Sequence, residues 1–121
     1  DPADPDAVHV VDYKTSAAAV SGAAAERHLQ LGAYQYALSS STDFPRVNGA
    51  SLVFVGTDAK NAAIRGQAPA SEVDDPHWFE SAVADIEAAV RSPRITLVPN
   101  NHCGVCSVKS SCPLYAEGTQ L

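Results

Sequence analysis

Apolar and polar positions follow two different periods along this chain. Val8-His9-Val10-Val11 is an apolar strand that runs directly into Asp12-Tyr13-Lys14. At a period of two, Asp12 and Lys14 fall on one face of that strand and Tyr13 on the other. The period then lengthens. Ala25, Leu29, Ala33 and Ala37 recur every fourth position and predict a helix from Ala23 to about Leu38, with Gln30, Tyr34 and Leu38 as the adjoining stripe. Ser39-Ser40-Ser41-Thr42 ends it. Ala50 to Val55 is short, rich in β-branched residues and closed by Gly56, which predicts a buried strand. Thr57 to Val73 reads as an irregular connection with room for a short strand around Ile64. Asp75-Pro76 supplies an N-cap and a first-turn proline for a second helix. Its apolar stripe is Trp78, Phe79, Ala82, Val83, Ile86, Ala89 and Val90, and Ser92-Pro93 stops it. Ile95, Leu97 and Val98 suggest one more short strand before Pro99. Strands alternating with helices make the chain α/β.

Composition narrows this reading. The chain has 121 residues, 45% apolar and 18% charged, enough for one domain with one core. No run approaches the roughly 18 apolar residues of a membrane span. The first residues, Asp-Pro-Ala-Asp-Pro-Asp, are no signal peptide, and a cytoplasmic protein is expected. The chain contains no Met. We expect Asp1 to be a cut inside a longer protein, and residues 1–6, with prolines at 2 and 5, to be a hairpin connection following an upstream strand. The net charge of −6 argues against a free-standing nucleic-acid binder, though not against a catalytic module to which a larger partner delivers the substrate.

Chemistry concentrates in two stretches. Asp12 and Lys14, side by side at a strand end, can hold a divalent cation and position a phosphate, or can be a plain strand-end ion pair. At the other end of the chain, Cys103, Cys106 and Cys112 are its only cysteines. The spacing is C-x2-C-x5-C with Pro113 after the last, and an odd number cannot close into disulfides within the chain. Turns that gather thiolates around one metal centre have this form. Iron–sulfur clusters and structural zinc each need a fourth ligand. His102 is adjacent to Cys103 and awkward as that ligand, and a cysteine upstream of residue 1 is the better candidate. The plainer reading is three reduced thiols with structural roles.

The order D-Y-K-T, Q-L-x-x-Y on a helix, then a terminal C-x2-C-x5-C-P resembles the RecB-type branch of the PD-(D/E)XK nucleases. More narrowly, it looks like the iron–sulfur nuclease domains of AddB and of the actinobacterial AdnA and AdnB helicase–nucleases. The likeness runs from Val8 to about Gly118. It implies a restriction-endonuclease-like mixed sheet flanked by helices, present here as the C-terminal part of a single nuclease domain, with residues 7–99 as core and 100–121 as cysteine motif and tail. It implies that Asp12 binds the catalytic Mg2+ or Mn2+, with the carbonyl of Tyr13 as a further ligand. Lys14 matches the catalytic lysine, and Gln30 and Tyr34 match the Q-x-x-x-Y element. For Gln30 and Tyr34, half-exposed helix residues with Tyr34 packed on the sheet is the plain alternative. Cys103, Cys106 and Cys112 match the last three ligands of a 4Fe-4S cluster. The implied partners are DNA, a helicase motor in the same chain or complex, and a partner helicase–nuclease subunit, with no membrane.

Two departures qualify the resemblance. The first metal aspartate, and a His or Glu on an earlier helix, belong upstream of Asp12. Asp1, Asp4 and Asp6 lie in the expected turn and do not match that position. One carboxylate and one carbonyl make a poor magnesium site, so the chain alone is expected to be inactive. Second, Ser16 and a run of alanines follow Lys14-Thr15 where glycine is usual. His9, His28 and His77 have no partner pattern and read as packing or surface residues. Two functions stand: part of a metal-dependent DNA exonuclease acting in double-strand-break repair and recombination, or a degenerate nuclease fold serving as a metal-cluster-stapled DNA-binding or structural module. A CRISPR-associated nuclease of the same superfamily is a looser alternative.

Overall fold

Three strands build the sheet: β1 (Val8–Lys14), β2 (Val47–Phe54) and β3 (Ala63–Gln67), in the order β1-β2-β3. The computed structural model describes residues 1, 4–44, 46–94 and 96–115, and the chain divides into two compact units, Asp1–Ala84 and Asp85–Leu121. β1 pairs with β2 in parallel, and β2 with β3 antiparallel. A parallel pair needs a crossover, and two helices supply it: α1 (Gly22–Glu26) and α2 (Leu29–Ser39). The sheet is therefore mixed, and the strands expected at Val8–Lys14, near Ala50–Val55 and around Ile64 are present. The segment before β1 turns as expected: Asp4 N–H donates to Asp1 O, and Ala7 N–H to Asp4 O. Pro2 and Ala3 lie outside the described residues.

Register decides which residues share a face. Asp12 stands opposite Leu52 and Lys14 opposite Phe54, while Leu52 faces Arg65 and Phe54 faces Ala63. Ala50, Leu52 and Phe54 bury their side chains with Ala25 and Leu31, and Val10, Ala19, Val20 and Ala63 pack around them. The opposite face exposes Val11, Tyr13 and Ile64. The β1–β2 register slips between Val8 and Val10, where β2 spends one extra residue near Gly49. Gly49 has φ of 114°, and a Cβ there would lie 2.7 Å from Gln67 O. A side chain would be strained by both the backbone conformation and the contact.

The helix expected over 23–38 is broken in two. Arg27 leaves helical geometry (φ −118°, ψ 29°), and His28 is extended (φ −73°, ψ 111°). The expected buried face is also corrected. Leu29 is 45% exposed and Ala37 is exposed, while Leu31, Gly32 and Gln35 are buried. The reason is that α2 meets two surfaces. Leu31 enters the sheet core, and Gly32 lies under Trp78, where a Cβ would be 2.7 Å from the indole. Every-fourth-residue counting cannot see a face set by a glycine and a glutamine.

α3 runs from Trp78 to Arg91, two residues later than Asp75-Pro76 implies. Asp75 still performs the capping: its Oδ1 accepts from His77 N–H and its carbonyl from Trp78 N–H. Of the apolar stripe, Trp78 is buried, but Val83, Ile86 and Val90 are exposed. No strand forms at Leu97 and Val98, which lie between two prolines that interrupt backbone pairing. Ile95 lies outside the described residues. Among the described residues no helix is long and apolar enough to cross a membrane.

Candidate active site

β1 delivers Asp12 and Lys14 on the face covered by α2. Lys14 Nζ lies 2.9 Å from Asp12 Oδ2. The two side chains are only 15% and 27% exposed, Asp12 the more enclosed. The pair meets the distance of an ion pair but not the geometry of a hydrogen bond, so Asp12 Oδ2 is a buried oxygen that accepts no hydrogen bond. The Lys14 ammonium beside it is the cation that offsets the cost of enclosing this anionic oxygen.

α2 supplies the continuation. Lys14 Nζ donates to Gln30 Oε1 at 2.6 Å, and Gln30 Nε2 donates to the Tyr34 hydroxyl oxygen at 2.7 Å. Gln30 and Tyr34 are one turn apart and share a helix face, which is what lets one amide bridge the lysine and the tyrosine. The four side chains form one connected line, Asp12–Lys14–Gln30–Tyr34. Its polarity is definite. The glutamine carbonyl is used by the lysine and its amide by the tyrosine oxygen, so the Tyr34 O–H is left to donate outward. Lys14, with three N–H groups, likewise retains a donor beyond Gln30 and Asp12.

The Tyr13 side chain is 68% exposed on the other face of the sheet. Its backbone is placed differently. Lys14 O accepts from Val55 N–H at 2.9 Å, so Lys14 belongs to the set of β1 residues that bond to β2. By alternation the Tyr13 carbonyl points to the unpaired edge of β1. Val10, Val11, Asp12, Tyr13, Tyr34, Ala37 and Leu38 line a groove of about 450 Å³ along that edge.

Two supporting residues were missed in the sequence, Gly56 at the site end of β1 and Gln67 at the opposite end of the sheet, level with Val10. Gly56, just after β2, touches the chain that leaves β1: a Cβ there would lie 1.9 Å from Thr15 O. Gln67, 5% exposed, donates from Nε2 to the carbonyls of Ala25, Glu26 and His28 at the helix break. The available signal for Gln67 was a glutamine on the inward face of a strand.

The acidic N-terminal residues supply no second carboxylate here. Asp4 is ion-paired with Arg46, and Asp6 is exposed. His9 bonds Asn48 and Ser51 across the sheet, His28 precedes α2 without capping it through its side chain, and His77 faces Glu80. Among the described residues no three His, Cys, Asp or Glu side chains are grouped to hold a metal ion. A divalent cation nevertheless suits part of what is present: magnesium takes oxygen ligands and retains waters, and the Asp12 carboxylate and the outward Tyr13 carbonyl are of that kind.

In the second unit the cysteines sit on a chain of tight turns. Cys103 N–H donates to Asn100 O, Cys106 to Cys103, Lys109 to Cys106, Cys112 to Lys109 and Tyr115 to Cys112. Every third residue from 100 to 115 is thus a turn junction, and three of those six junctions are cysteines. Cys103 Sγ also accepts from Asn100 N–H at 3.3 Å. All three thiols are free.

A family model described as the PD-(D/E)XK nuclease superfamily matches residues 1–113. The mixed sheet with its helices agrees with the restriction-endonuclease-like fold of that superfamily, whose members are generally metal-dependent nucleases. No curated protein matches the chain.

Proposed function

The chain belongs to the PD-(D/E)XK nuclease superfamily, and we propose that it is the C-terminal part of a single divalent-metal-dependent DNA exonuclease domain in a helicase–nuclease acting in double-strand-break repair and recombination. The line Asp12–Lys14–Gln30–Tyr34 carries this reading. It gathers, from a strand and a helix 16 positions on, a carboxylate, a cation and two neutral donors at one strand end.

Asp12 and the Tyr13 carbonyl would hold the Mg2+ or Mn2+ ion. The chemistry such an ion supplies when bound is polarisation of a phosphodiester oxygen and activation of water. The rest falls to this chain's own groups. Asp12 orients the Lys14 ammonium at the strand end. Lys14 donates to the oxygen on which negative charge grows as the phosphodiester is attacked. Gln30 fixes the lysine through its carbonyl, and Tyr34 offers its O–H to a non-bridging phosphate oxygen or to the substrate strand. The groove beside β1, lined by Val10, Tyr34 and Leu38 among others, gives the strand a partly apolar wall. Cys103, Cys106 and Cys112 would be three ligands of a 4Fe-4S cluster whose fourth cysteine lies outside this chain. Their turn-by-turn spacing and the N–H on Cys103 Sγ support that role, and the three thiols, which are not grouped around one point here, would have to be drawn together on binding it.

A second reading has one observation in its favour. A single carboxylate serves the site, which suits a degenerate fold retained as a DNA-binding or structural module. One experiment separates the two. The full-length protein is prepared anaerobically, its iron measured, and its Mg2+- or Mn2+-dependent digestion of linear DNA compared with Asp12→Ala. Iron near four per chain with digestion lost in Asp12→Ala supports the nuclease. Iron with no digestion in either protein supports the degenerate module. Stoichiometric zinc without iron overturns the cluster assignment.

A further inference from the structure

We propose that Gln67, through Gln35, is the positioning residue of the active site, fixing the rotational setting of α2 that brings Gln30 onto Lys14; the catalytic part of this inference rests on the nuclease reading above. α1 ends at Glu26 and α2 starts at Leu29; across this junction the Ala25 carbonyl accepts from the His28 N–H and the His28 carbonyl from the Gly32 N–H. Gln67 Nε2 reaches the same junction from β3, at 3.0 Å from Ala25 O, 3.2 Å from Glu26 O and 3.3 Å from His28 O. The other end of the same amide is used as well: Gln67 Oε1 accepts from Gln35 Nε2 at 2.8 Å. Gln35, 2% exposed, also donates to Ala68 O and accepts from Ala70 N–H. Every polar atom of the two amides therefore has a partner, as buried amides require.

The consequence is geometric. α2 is pinned to the end of β3 at two points, the His28 carbonyl and the Gln35 side chain. Gln30 and Tyr34 lie between those points. A helix turns about 100° per residue, so a slip of one position would swing Gln30 away from Lys14 altogether. Leu31 in the sheet core and Gly32 under Trp78 hold α2 against its neighbours, and the two glutamines add polar contacts at both ends of the segment that only one rotational setting satisfies. A buried glutamine pair is an expensive way to fill a core position that leucine could occupy, and its partners identify what it holds.

The test uses Gln67→Met, which keeps length and bulk but removes the amide, in the full-length protein. Two readouts are taken: the crystal structure of the variant, and steady-state digestion of linear DNA with Mg2+, beside Asp12→Ala and Gln30→Ala. The expected structure keeps the three strands and loses the Lys14–Gln30 hydrogen bond. The expected kcat falls about 10- to 100-fold, in keeping with an ångström-scale misplacement. Adding Gln67→Met to Gln30→Ala then costs less than about 2-fold, because the glutamine acts through Gln30. A purely structural role would instead lower the rate equally in both backgrounds. Retention of the Lys14–Gln30 contact in the Gln67→Met structure overturns the proposal, whatever the digestion assay shows. Absence of digestion in the unmodified protein refutes the nuclease reading and leaves the crystal structure to decide the positioning claim. Should Gln67→Met not fold, Gln35→Met, which leaves the three carbonyl contacts of Gln67 in place, is taken through the same two readouts and judged in the same way.

Discussion

Replacing Gly56 by alanine tests how tightly the two strand ends bearing the site are apposed. The added Cβ would sit 1.9 Å from Thr15 O and 2.5 Å from Thr15 C, both main-chain atoms. An ordinary carbon–oxygen contact is about 3.3 Å, so the strand ends must separate by about 1.4 Å. No side-chain rotation can relieve it. Backbone conformation is not the obstacle, since Gly49 alone among the described glycines has positive φ. The displaced segment begins one residue after Lys14, so the movement passes directly to the Asp12–Lys14 pair. Misplacement of that size costs about 100-fold in rate. The assay is Mg2+-dependent release of nucleotides from linear DNA by the full-length protein, with urea unfolding in parallel to confirm that the variant remains folded under assay conditions. Gly66→Ala is the control, because a Cβ there meets nothing within 4 Å. A Gly56→Ala protein digesting at the unmodified rate would refute the argument, as would equal losses in Gly56→Ala and Gly66→Ala.

Other perturbations give equally definite expectations. Gly32→Leu drives a side chain into Trp78 and Phe79, so it should destabilise the fold by about 1–3 kcal/mol; Trp78 is the chain's one tryptophan, and in a preparation limited to this chain its emission should shift to the red as it is expelled. Leu52→Ala empties a fully buried position and should cost about 2–5 kcal/mol in urea unfolding, with no change in the slope of the transition. Lys14→Ala should lower kcat far more than it raises KM, whereas Tyr34→Phe, which removes only the outward O–H, should have the smaller effect of one neutral hydrogen bond, about 10-fold or less. Cys106→Ser in the full-length protein should reduce bound iron and its visible absorption, and unchanged iron content would remove that cysteine from the ligand set.

What was legible in the sequence was whatever depends on local order. β1 could be read because an apolar run meets Asp12-Tyr13-Lys14, and period-two alternation alone puts the two charges on one face. The turn before it, β2, the short strand at Ile64 and the capping by Asp75 follow from equally local signals. Gln30 and Tyr34 could be paired because four residues make about one helical turn. The tertiary structure decided the rest. The helix over 23–38 breaks at Arg27–His28, where Gln67, some forty positions away, donates to the carbonyls of Ala25, Glu26 and His28. Leu31, Gly32 and Gln35 face inward, rather than Leu29 and Ala37, because α2 meets the sheet core, Trp78 at the start of α3 and Gln67 at those positions. Leu97 and Val98 have strand-like composition but form no ladder, since strand propensity is realised only against a partner edge. The sequence by itself placed a carboxylate beside an ammonium. That Lys14 reaches Gln30 is a distance between elements, and the packing of α2 on the sheet, with the Gln35–Gln67 pair, determines it.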